Sequence, residues 1–382
     1  MIRELESLRD QSRYRTLENP AGIDLSSNDY LGLASDPRLK QAVIRAVERS
    51  AAVGSTGSRL LSGNSPEWGE LECTFADFAG TESALYFGSG YAANLGLLSS
   101  LLGPGDVVFS DALNHASLID GIRLSRATKV IYPHRDVEFL ERALRQYADC
   151  AGSKLIVTET LFSMEGDIAP LAKMIELART HGAEIVIDEA HATGVRGPAG
   201  RGIAVELGVE RDVLAIVHTC GKALASAGAF ACGSEVLKNY LINRARTFIF
   251  STAMPPYLAA QIRAAVELAH GAEHERSHLR AISSALREGL CAEGIDCGTS
   301  EAHIVPVILS KNEIAVDVAG ELRRAGFAAR AIRPPTVPEG KARVRISLTS
   351  KITMNDIERL ISATVASVRS LSRERSSISM HA

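Results

Sequence analysis

A carboxylate, an imidazole and an amine stand just past two neighbouring apolar runs of this chain, and together they could carry out carbonyl chemistry. Asp188 and His191 lie three residues apart after the run 184–188, and Lys222 follows the run 215–219. Lys222 is surrounded by small and apolar residues, and desolvation favours the neutral, nucleophilic form of an amine. Taken singly, Asp188 would be read as a helix cap, His191 as a structural histidine and Lys222 as a solvated surface residue.

Further polar groups follow other apolar runs. The segment GSGY (88–91) precedes a predicted helix, and small residues there let backbone N–H groups point at an anion, although alone it is an ordinary glycine-rich turn. His115 offers an imidazole that could stack on a flat ring, and Ser163 offers a hydroxyl. Together with Asp188, His191 and Lys222, these groups match the needs of a phosphorylated pyridine aldehyde, pyridoxal phosphate.

Each predicted role follows from the chemistry of that ring. Asp188 would pair with the ring nitrogen and maintain the electron sink, and Lys222 would form a Schiff base with the aldehyde. Ser163 and His191 would hydrogen-bond the ring oxygen. We therefore predict Lys222, His115, Asp188 and His191 as catalytic residues.

Other functions suggested by short motifs lack their partner motifs. DEAH (188–191) is also the box of an RNA helicase, which requires the phosphate loop GxxxxGK[ST], and the chain contains none. A His-Arg-Asp triplet at 134–136 is similar to a kinase catalytic loop, but we predict Asp136 as a helix N-cap. His115, His191 and His218 have no metal-ligand spacing, so no metal is expected.

The elements that must position these groups alternate short apolar runs with helical periods. This pattern predicts an α/β fold with a largely parallel sheet covered on both faces, in which ligands sit beyond the carboxyl ends of the strands. The predicted strands are 84–87, 107–110, 129–132, 154–158, 184–188, 215–219 and 229–232, and the predicted helices are 37–50, 65–79, 91–102, 116–125, 137–148 and 170–181.

The domain prediction has four parts. An N-terminal arm covers 1–40 and begins with a helix of about twenty residues, and a large cofactor-binding domain covers 41–270. A smaller C-terminal α+β domain covers 271–369, and a flexible tail covers 370–382. In the small domain we predict a long helix from about 270, strands 304–309 and 344–348, and helices 313–325 and 354–368.

Composition restricts the class of protein. The 382 residues are 46% hydrophobic, enough for a sizeable core, and the net charge of -3 without a basic block argues against nucleic acid or an anionic membrane as partner. The N-terminus lacks an apolar signal region, no apolar run is long enough to span a membrane, and the six cysteines form no CxxC pair. We expect a cytoplasmic protein.

Six segments together resemble the α-oxoamine synthases, over roughly residues 10–368. This resemblance implies a fold-type I pyridoxal-phosphate-dependent transferase, with a mostly parallel seven-stranded sheet between helices and a smaller C-terminal α+β domain. It also implies a homodimer with a shared active site. The segments are SSNDYLG (26–32), FGSGY (87–91), NHASL (114–118), FSMEGD (162–167), DEAH (188–191) and TCGK (219–222).

The resemblance also implies residue roles. In this family Gly90 and Tyr91 would cradle the cofactor, His115 would stack on its ring, Ser163 and His191 would bind the ring oxygen, Asp188 the ring nitrogen, Thr219 the phosphate and Lys222 the aldehyde. Thr252 would reach the phosphate of the neighbouring subunit's cofactor. Arg345 would pair with the amino-acid carboxylate, and Asn28 and Arg15 would be further substrate contacts.

The stretch AIRPPTVPEGKARVR (331–345) resembles the biotin-pathway branch of the family. That implies decarboxylative condensation of L-alanine with a pimeloyl thioester of coenzyme A or an acyl carrier protein. The alternatives are a glycine acetyltransferase or another acyltransferase of the family, and a catalytically silent scaffold, against which the intact Lys222 set argues. Trp68 stands where family members usually carry His, which bears on acyl-donor preference.

Overall fold

The computed structural model describes residues 1–50 and 52–379. Its strands and helices are named here in chain order. The strands are β1 (Ile23–Asp24), β2 (Ser83–Phe87), β3 (Val107–Asp111), β4 (Thr128–Tyr132), β5 (Lys154–Glu159), β6 (Glu184–Asp188), β7 (Ala215–Thr219), β8 (Ala229–Gly233), β9 (Ile304–Ser310), β10 (Phe327–Ala328), β11 (Ala331–Ile332) and β12 (Ala342–Ser347). The α-helices are α1 (Ile2–Asp10), α2 (Pro37–Arg49), α3 (Pro66–Ala79), α4 (Gly90–Leu101), α5 (Ala116–Ser125), α6 (Val137–Gln146), α7 (Leu171–His181), α8 (Ile203–Leu207), α9 (Glu235–Arg244), α10 (Arg246–Ile249), α11 (Tyr257–His270), α12 (Glu273–Ala292), α13 (Asn312–Arg324) and α14 (Met354–Ser379).

A seven-stranded sheet organises the larger of two compact units, which comprises Leu31–Phe162 and Ile168–Glu273. The strand order is β2-β8-β7-β6-β5-β3-β4, and every pairing is parallel except those of β8, which runs antiparallel to β2 and β7. The seven strands predicted from apolar runs are these seven, each end within one residue. The prediction of a mostly parallel seven-stranded sheet is confirmed.

The parallel strands end along one edge of this sheet and bring distant residues together there. Glu159 at the end of β5 pairs with Asp188 at the end of β6, and Asp188 pairs with Val217 of β7. Helices α4, α5 and α9 contribute apolar side chains to the buried cluster that covers the sheet. Asp136 directly precedes helix α6 and its carboxylate accepts the Phe139 N–H at 2.8 Å, so the predicted N-cap is confirmed.

The second unit comprises Met1–Tyr30, Ser163–Asp167 and the chain from His274 onward. It contains the antiparallel sheet β11-β12-β9 and the short parallel pair β1-β10. Two of its strands were predicted as 304–309 and 344–348. The domain limits at 40, 270 and 369 remain a prediction, since the two units follow a different division of the chain.

Some helices differ from the prediction. A single helix over the first twenty residues was wrong, because α1 ends at Asp10 and Ser12 has a φ of 53°, which a continuing helix does not allow. Helix α14 continues to Ser379, past the predicted end at 368, and the final residues 380–382 of the predicted flexible tail lie outside the described residues. Four helices, α8 to α11, were not predicted.

Among the described helices, none is long and apolar enough to cross a membrane.

Candidate active site

Asp188 is a buried carboxylate held in one orientation. It ends β6, its exposed fraction is 4%, and its Oδ1 accepts the backbone N–H of Ala190 at 2.7 Å. Its Oδ2 accepts the side-chain amide of Asn94 at 2.6 Å. Hydrogen bonds to an ionised group are short and strong, so these two donors fix the direction in which the carboxylate can interact.

Asn94 is the functional candidate that sequence reasoning missed. It lies in α4, is buried, and donates its second amide hydrogen bond to the hydroxyl of Ser117 in α5 at 2.9 Å. Its side chain therefore connects two helices with the end of β6. The available signal was a lone amide within an otherwise apolar helix, and nothing in the sequence connects that amide with Asp188.

His115 lies within electrostatic reach of Asp188 and Lys222. It precedes α5, and its Nδ1 is 2.8 Å from the hydroxyl of Ser117. Desolvation lowers the pKa of His115 below its usual value; the positive charge of Lys222 lowers it further, and the carboxylate of Asp188 opposes the change. The imidazole is therefore neutral near pH 7, which suits it to pack on a ring rather than to pair with an anion.

Lys222 stands in a loop that is closed by backbone hydrogen bonds. Cys220 donates to the Gly228 carbonyl at 2.9 Å and Ser226 donates to the Cys220 carbonyl at 2.8 Å, and Ala225 donates to Lys222 itself at 2.8 Å. Lys222 is half-buried and is followed by the buried pair Ala223 and Leu224. The apolar residues that follow Lys222 in the sequence are therefore buried, and backbone hydrogen bonds hold the loop in place.

The start of α4 lies against Thr219. A Cβ added to Gly90 would be 2.6 Å from Thr219 Cγ2, so only glycine allows this approach. Ser89 caps the helix by accepting the Ala92 N–H at 3.0 Å. The amides of a first helical turn are an anion site. Gly90, predicted to cradle the cofactor, and Thr219, predicted to bind its phosphate, meet there.

Tyr91 and His191 occupy different surroundings. Tyr91 is exposed and its hydroxyl contacts the carboxylate of Asp120, which raises the pKa of Tyr91. His191 is buried in the turn after β6, where Ala192 and Thr193 both donate to the carbonyl of Glu189 at 2.9 Å. Tyr91 lies in α4, which carries Asn94, and His191 follows β6, which ends at Asp188.

The residues of this unit fit pyridoxal phosphate. They provide an oriented carboxylate for a protonated ring nitrogen, an amine for the aldehyde, a neutral imidazole and a helix N-terminus for the phosphate. The side-chain carbonyl oxygen of Asn94 is buried without a hydrogen-bond partner in the described part of the chain, so the site also retains polar capacity.

In the other unit, Arg345 contacts Asn28, a second predicted substrate residue, and Ser163, which was predicted to bind the ring oxygen of the cofactor. Its Nε donates to the Ser163 carbonyl at 2.5 Å, and both terminal nitrogens lie 3.2 Å from Asn28 Oδ1. The hydroxyl of Tyr30 donates to the same oxygen at 2.9 Å, and burial raises the pKa of Tyr30 to about 12, so it stays neutral. Arg345, Asn28 and Ser163 therefore form one cluster around a buried guanidinium.

Arg15 and Thr252 are not part of these clusters. Arg15 donates to the Thr336 hydroxyl at 3.3 Å, beside an ion pair between Arg13 and Glu339. Thr252 is exposed and forms an isolated bridge with Ser58. Its predicted role concerns a second subunit, and a single chain does not test it.

Trp68, which replaces the usual family histidine, is a core residue here. It is fully buried and stacks on Tyr86 with ring centroids 4.4 Å apart. Arg59 lies over its ring at 5.7 Å and pairs with Glu72 at 2.7 Å. The indole therefore acts through packing, and its Nε1 meets no acceptor among the described residues.

Within the described residues, no group of three or more His, Cys, Asp or Glu side chains could hold a metal ion.

Comparisons with known proteins agree with this fold. The family model for aminotransferase class I and II matches residues 20–363, and the chain belongs to this family. It is 45% identical to an 8-amino-7-oxononanoate synthase of Geobacter sulfurreducens, over 94% of this chain and 95% of that protein.

Two solved structures are similar throughout. A Sphingomonas wittichii serine palmitoyltransferase matches with a TM-score of 0.87 and 35% identity, and the match covers 91% of this chain and 88% of that chain. A structure of SPT with PLP has a TM-score of 0.89 and 32% identity, covering 97% of each chain.

Proposed function

We propose that this chain is a pyridoxal-phosphate-dependent acyltransferase with 8-amino-7-oxononanoate synthase activity. It would condense L-alanine with a pimeloyl thioester, with loss of carbon dioxide and of the thiol. The observation that carries the proposal is the cluster of Asp188, His115 and Lys222 at the end of the parallel strands, where the charges of Asp188 and Lys222 act on the imidazole. The 45% identity to a relative of that activity, along almost the whole chain, supports the choice of substrates.

When bound, pyridoxal phosphate supplies an electron sink for a carbanion formed next to an amino group. The amine of Lys222 would hold the aldehyde carbon and, once displaced by the substrate amine, would remove the α-proton of alanine as a general base. Asp188 would keep a proton on the ring nitrogen, and its two donors leave it no other orientation. His115 would pack on the ring as a neutral imidazole.

The phosphate would be held at the start of α4. Gly90 and Thr219 would contact it there, with the first-turn amides as donors. Tyr91 would bound the same end of the cofactor. His191 and Ser163 would donate to the ring oxygen.

Arg345 would bind the carboxylate of alanine. A planar guanidinium matches a carboxylate in two parallel hydrogen bonds, and Asn28 already aligns its two terminal nitrogens. Arg15 would be a further contact to substrate. We further propose a cytoplasmic homodimer in which Thr252 reaches the cofactor phosphate of the partner subunit.

The test of the cofactor assignment is chemical trapping at Lys222. Purified holoenzyme is reduced with borohydride and its peptides are analysed by mass spectrometry, in parallel with Lys222→Ala and the control Lys173→Ala, an exposed lysine of α7. We expect the mass of the reduced cofactor on Lys222 alone, and full loss of turnover only in Lys222→Ala. Cofactor attached to another lysine, or turnover retained by Lys222→Ala, would refute the assignment.

The test of substrate choice is a matrix of assays. L-Alanine, glycine and L-serine are each combined with pimeloyl, acetyl and palmitoyl thioesters, and thiol release is measured. We expect the highest kcat/KM for L-alanine with pimeloyl thioester. Preference for glycine with acetyl thioester would instead assign a glycine acetyltransferase to the same cofactor site.

A further inference from the structure

A basic cavity lies in the unit that contains the two chain ends. Its volume is about 440 Å³, and it is lined by residues 14–18, by one side of α13 and by the chain around β11. Four guanidinium groups line it, from Arg15, Arg323, Arg330 and Arg333. Among the described residues, no hydrogen bond joins Arg323, Arg330 or Arg333 to Arg345.

The charges in this cavity do not cancel. Glu18 is the single acidic residue among those that line it, and it pairs with Arg330 at 2.9 Å. Four positive charges and one negative charge leave a net of +3. The arrangement is therefore an anion site by charge, unlike a surface where arginines and carboxylates alternate.

Three of the arginines donate hydrogen bonds to neutral acceptors among the described residues, and the charge of Arg323 also acts on the carboxylate of Glu18. Arg323 donates to the Ala329 carbonyl at 3.3 Å, Arg333 donates to the Ser12 carbonyl, and Arg15 donates to a threonine hydroxyl. Burial lowers the pKa of Arg333, and the positive charge of Arg15 lowers it further. Each guanidinium has five N–H donors, so most remain available to a ligand that would relieve this repulsion.

The cavity is separate from the carboxylate site at Arg345. Ala331, which lines the cavity, pairs with Val344 across the β11-β12 ladder. Neighbouring residues of a strand point to opposite faces, so Arg345 projects from the face opposite to Val344 and Ala331. The two arginine sites of this unit therefore serve different groups.

We propose that this cavity binds the phosphate groups of the acyl carrier, an inference that rests on the proposed function. A single carboxylate is satisfied by one guanidinium, as at Arg345, whereas several guanidiniums in one cavity match a ligand with several negative charges. Among the substrates of the proposed reaction, the carrier end of the thioester is the polyanion. Coenzyme A and a carrier protein share a phosphate ester next to pantetheine.

The test measures binding without turnover. Titration calorimetry of holoenzyme uses coenzyme A, dephospho-coenzyme A, holo acyl carrier protein and pimelate as probes, with the variants Arg323→Gln, Arg333→Gln and Glu18→Gln. Loss of one charged contact is expected to weaken coenzyme A binding about tenfold in each arginine variant. Glu18→Gln is expected to tighten it, and a misfolded variant would not do so.

A matched control is Arg145→Gln, because Arg145 is an exposed arginine of the other unit that pairs with Glu141. It should leave every affinity unchanged. If coenzyme A binds more weakly than the acyl carrier protein, and the arginine variants weaken binding of the carrier protein, then the carrier protein is the source of the phosphate. If neither carrier responds to the charge variants, or if only pimelate does, the proposal is wrong.

Kinetic measurements show whether the cavity proposal or the proposed function has failed. With pimeloyl thioester as substrate, the arginine variants should raise KM for the thioester and leave KM for L-alanine and kcat unchanged. Variant-dependent coenzyme A binding without pimeloyl turnover would overturn the function and retain the site. Pimeloyl turnover with carrier affinities that ignore the variants would overturn the site and retain the function.

Discussion

Replacement of Asn94 by alanine should weaken cofactor binding through Asp188. The change removes the 2.6 Å hydrogen bond to the Asp188 carboxylate and the 2.9 Å bond to the Ser117 hydroxyl. A hydrogen bond to a charged group contributes about 1.5–3 kcal/mol and a neutral one about 1 kcal/mol. Because both partners stay buried, we expect the free energy of unfolding to fall by roughly 2.5–4 kcal/mol.

The part of this loss that concerns Asp188 should also appear in cofactor affinity. A carboxylate that has lost one of its two fixed donors can turn away from the ring nitrogen, so its pairing with the cofactor becomes weaker. If cofactor binding loses only the contribution of the hydrogen bond from Asn94 to the charged carboxylate, about 1.5–3 kcal/mol, the Kd for pyridoxal phosphate should rise about 10- to 150-fold. The measurement is an absorption titration of apoenzyme with pyridoxal phosphate, together with urea unfolding of the apoenzyme.

Asn114 provides a matched control. Its buried amide donates to the Ser110 hydroxyl at 3.0 Å and to the Val157 carbonyl at 2.8 Å, both neutral acceptors. Asn114→Ala should therefore destabilise the fold without a comparable loss of cofactor affinity. Equal increases of Kd in both variants, or an unchanged Kd in Asn94→Ala, would show that Asn94 does not act through Asp188.

Three further predictions address other parts of the chain. Gly90→Ala should raise the Kd for pyridoxal phosphate at least tenfold, because its Cβ would lie 2.6 Å from Thr219 Cγ2. Gly88→Ala should have little effect in the same titration, because its Cβ would lie 3.8 Å from Met254 Sδ. Burial lowers the pKa of His218 from 6.5 to about 3, so between these values the unfolded chain binds a proton that the folded chain does not. The free energy of unfolding, measured with urea, should therefore fall by about 1.4 kcal/mol for each pH unit below 6.5. His218→Asn should remove that part of the pH dependence. Arg345→Lys should raise KM for L-alanine about tenfold or more with little change in KM for the thioester, because an ammonium cannot replace the planar fork; equal changes in both constants would contradict this role.

The central sheet could be predicted from sequence because its strands carry one unambiguous signal. Strands such as β5 and β6 are buried on both faces and read as continuous apolar runs between helices. Three of the four missed helices lack such a signal, whereas α11 buries an apolar face at helical spacing that the prediction overlooked. Helices α8 and α10 have only five and four residues, and α9 buries only Leu237 and Leu241, so no extended apolar face marks it.

The site could be predicted as far as strand ends determine it. Asp188 and Lys222 follow adjacent strands, and parallel strands bring their carboxyl ends to one edge, so their proximity needed only the sheet. The contact between Asn94 and Asp188 needed more, because it depends on how α4 rotates about its axis as it packs on the sheet. That rotation is set by side-chain packing across the sheet, which the pattern of a single sequence does not reveal.

The segment Ser163–Asp167 shows a second limit of sequence reasoning. It follows β5 and was predicted within the large domain, yet its contacts are with the C-terminal part of the chain. Arg343 pairs with Glu165 at 2.8 Å, and a Cβ on Gly166 would lie 2.0 Å from the Ile304 carbonyl oxygen, so the backbones meet closely there. No local pattern in the chain indicates a pairing that spans about 180 residues.

The division into two units bears on how one fold serves several acyltransferases. The residues assigned to the cofactor nitrogen, aldehyde and phosphate all belong to the unit of the seven-stranded sheet. Ser163, which was assigned to the ring oxygen, belongs to the other unit. Arg345, Asn28 and the basic cavity belong to the other unit. Under the proposed assignments, substitutions in that second unit would change the bound amino acid or thioester while the groups that tune the cofactor stay as they are. The chain is similar both to an 8-amino-7-oxononanoate synthase and to a serine palmitoyltransferase. Under the same assignments, shared cofactor chemistry would constrain one unit, and substrate choice would rest with the other.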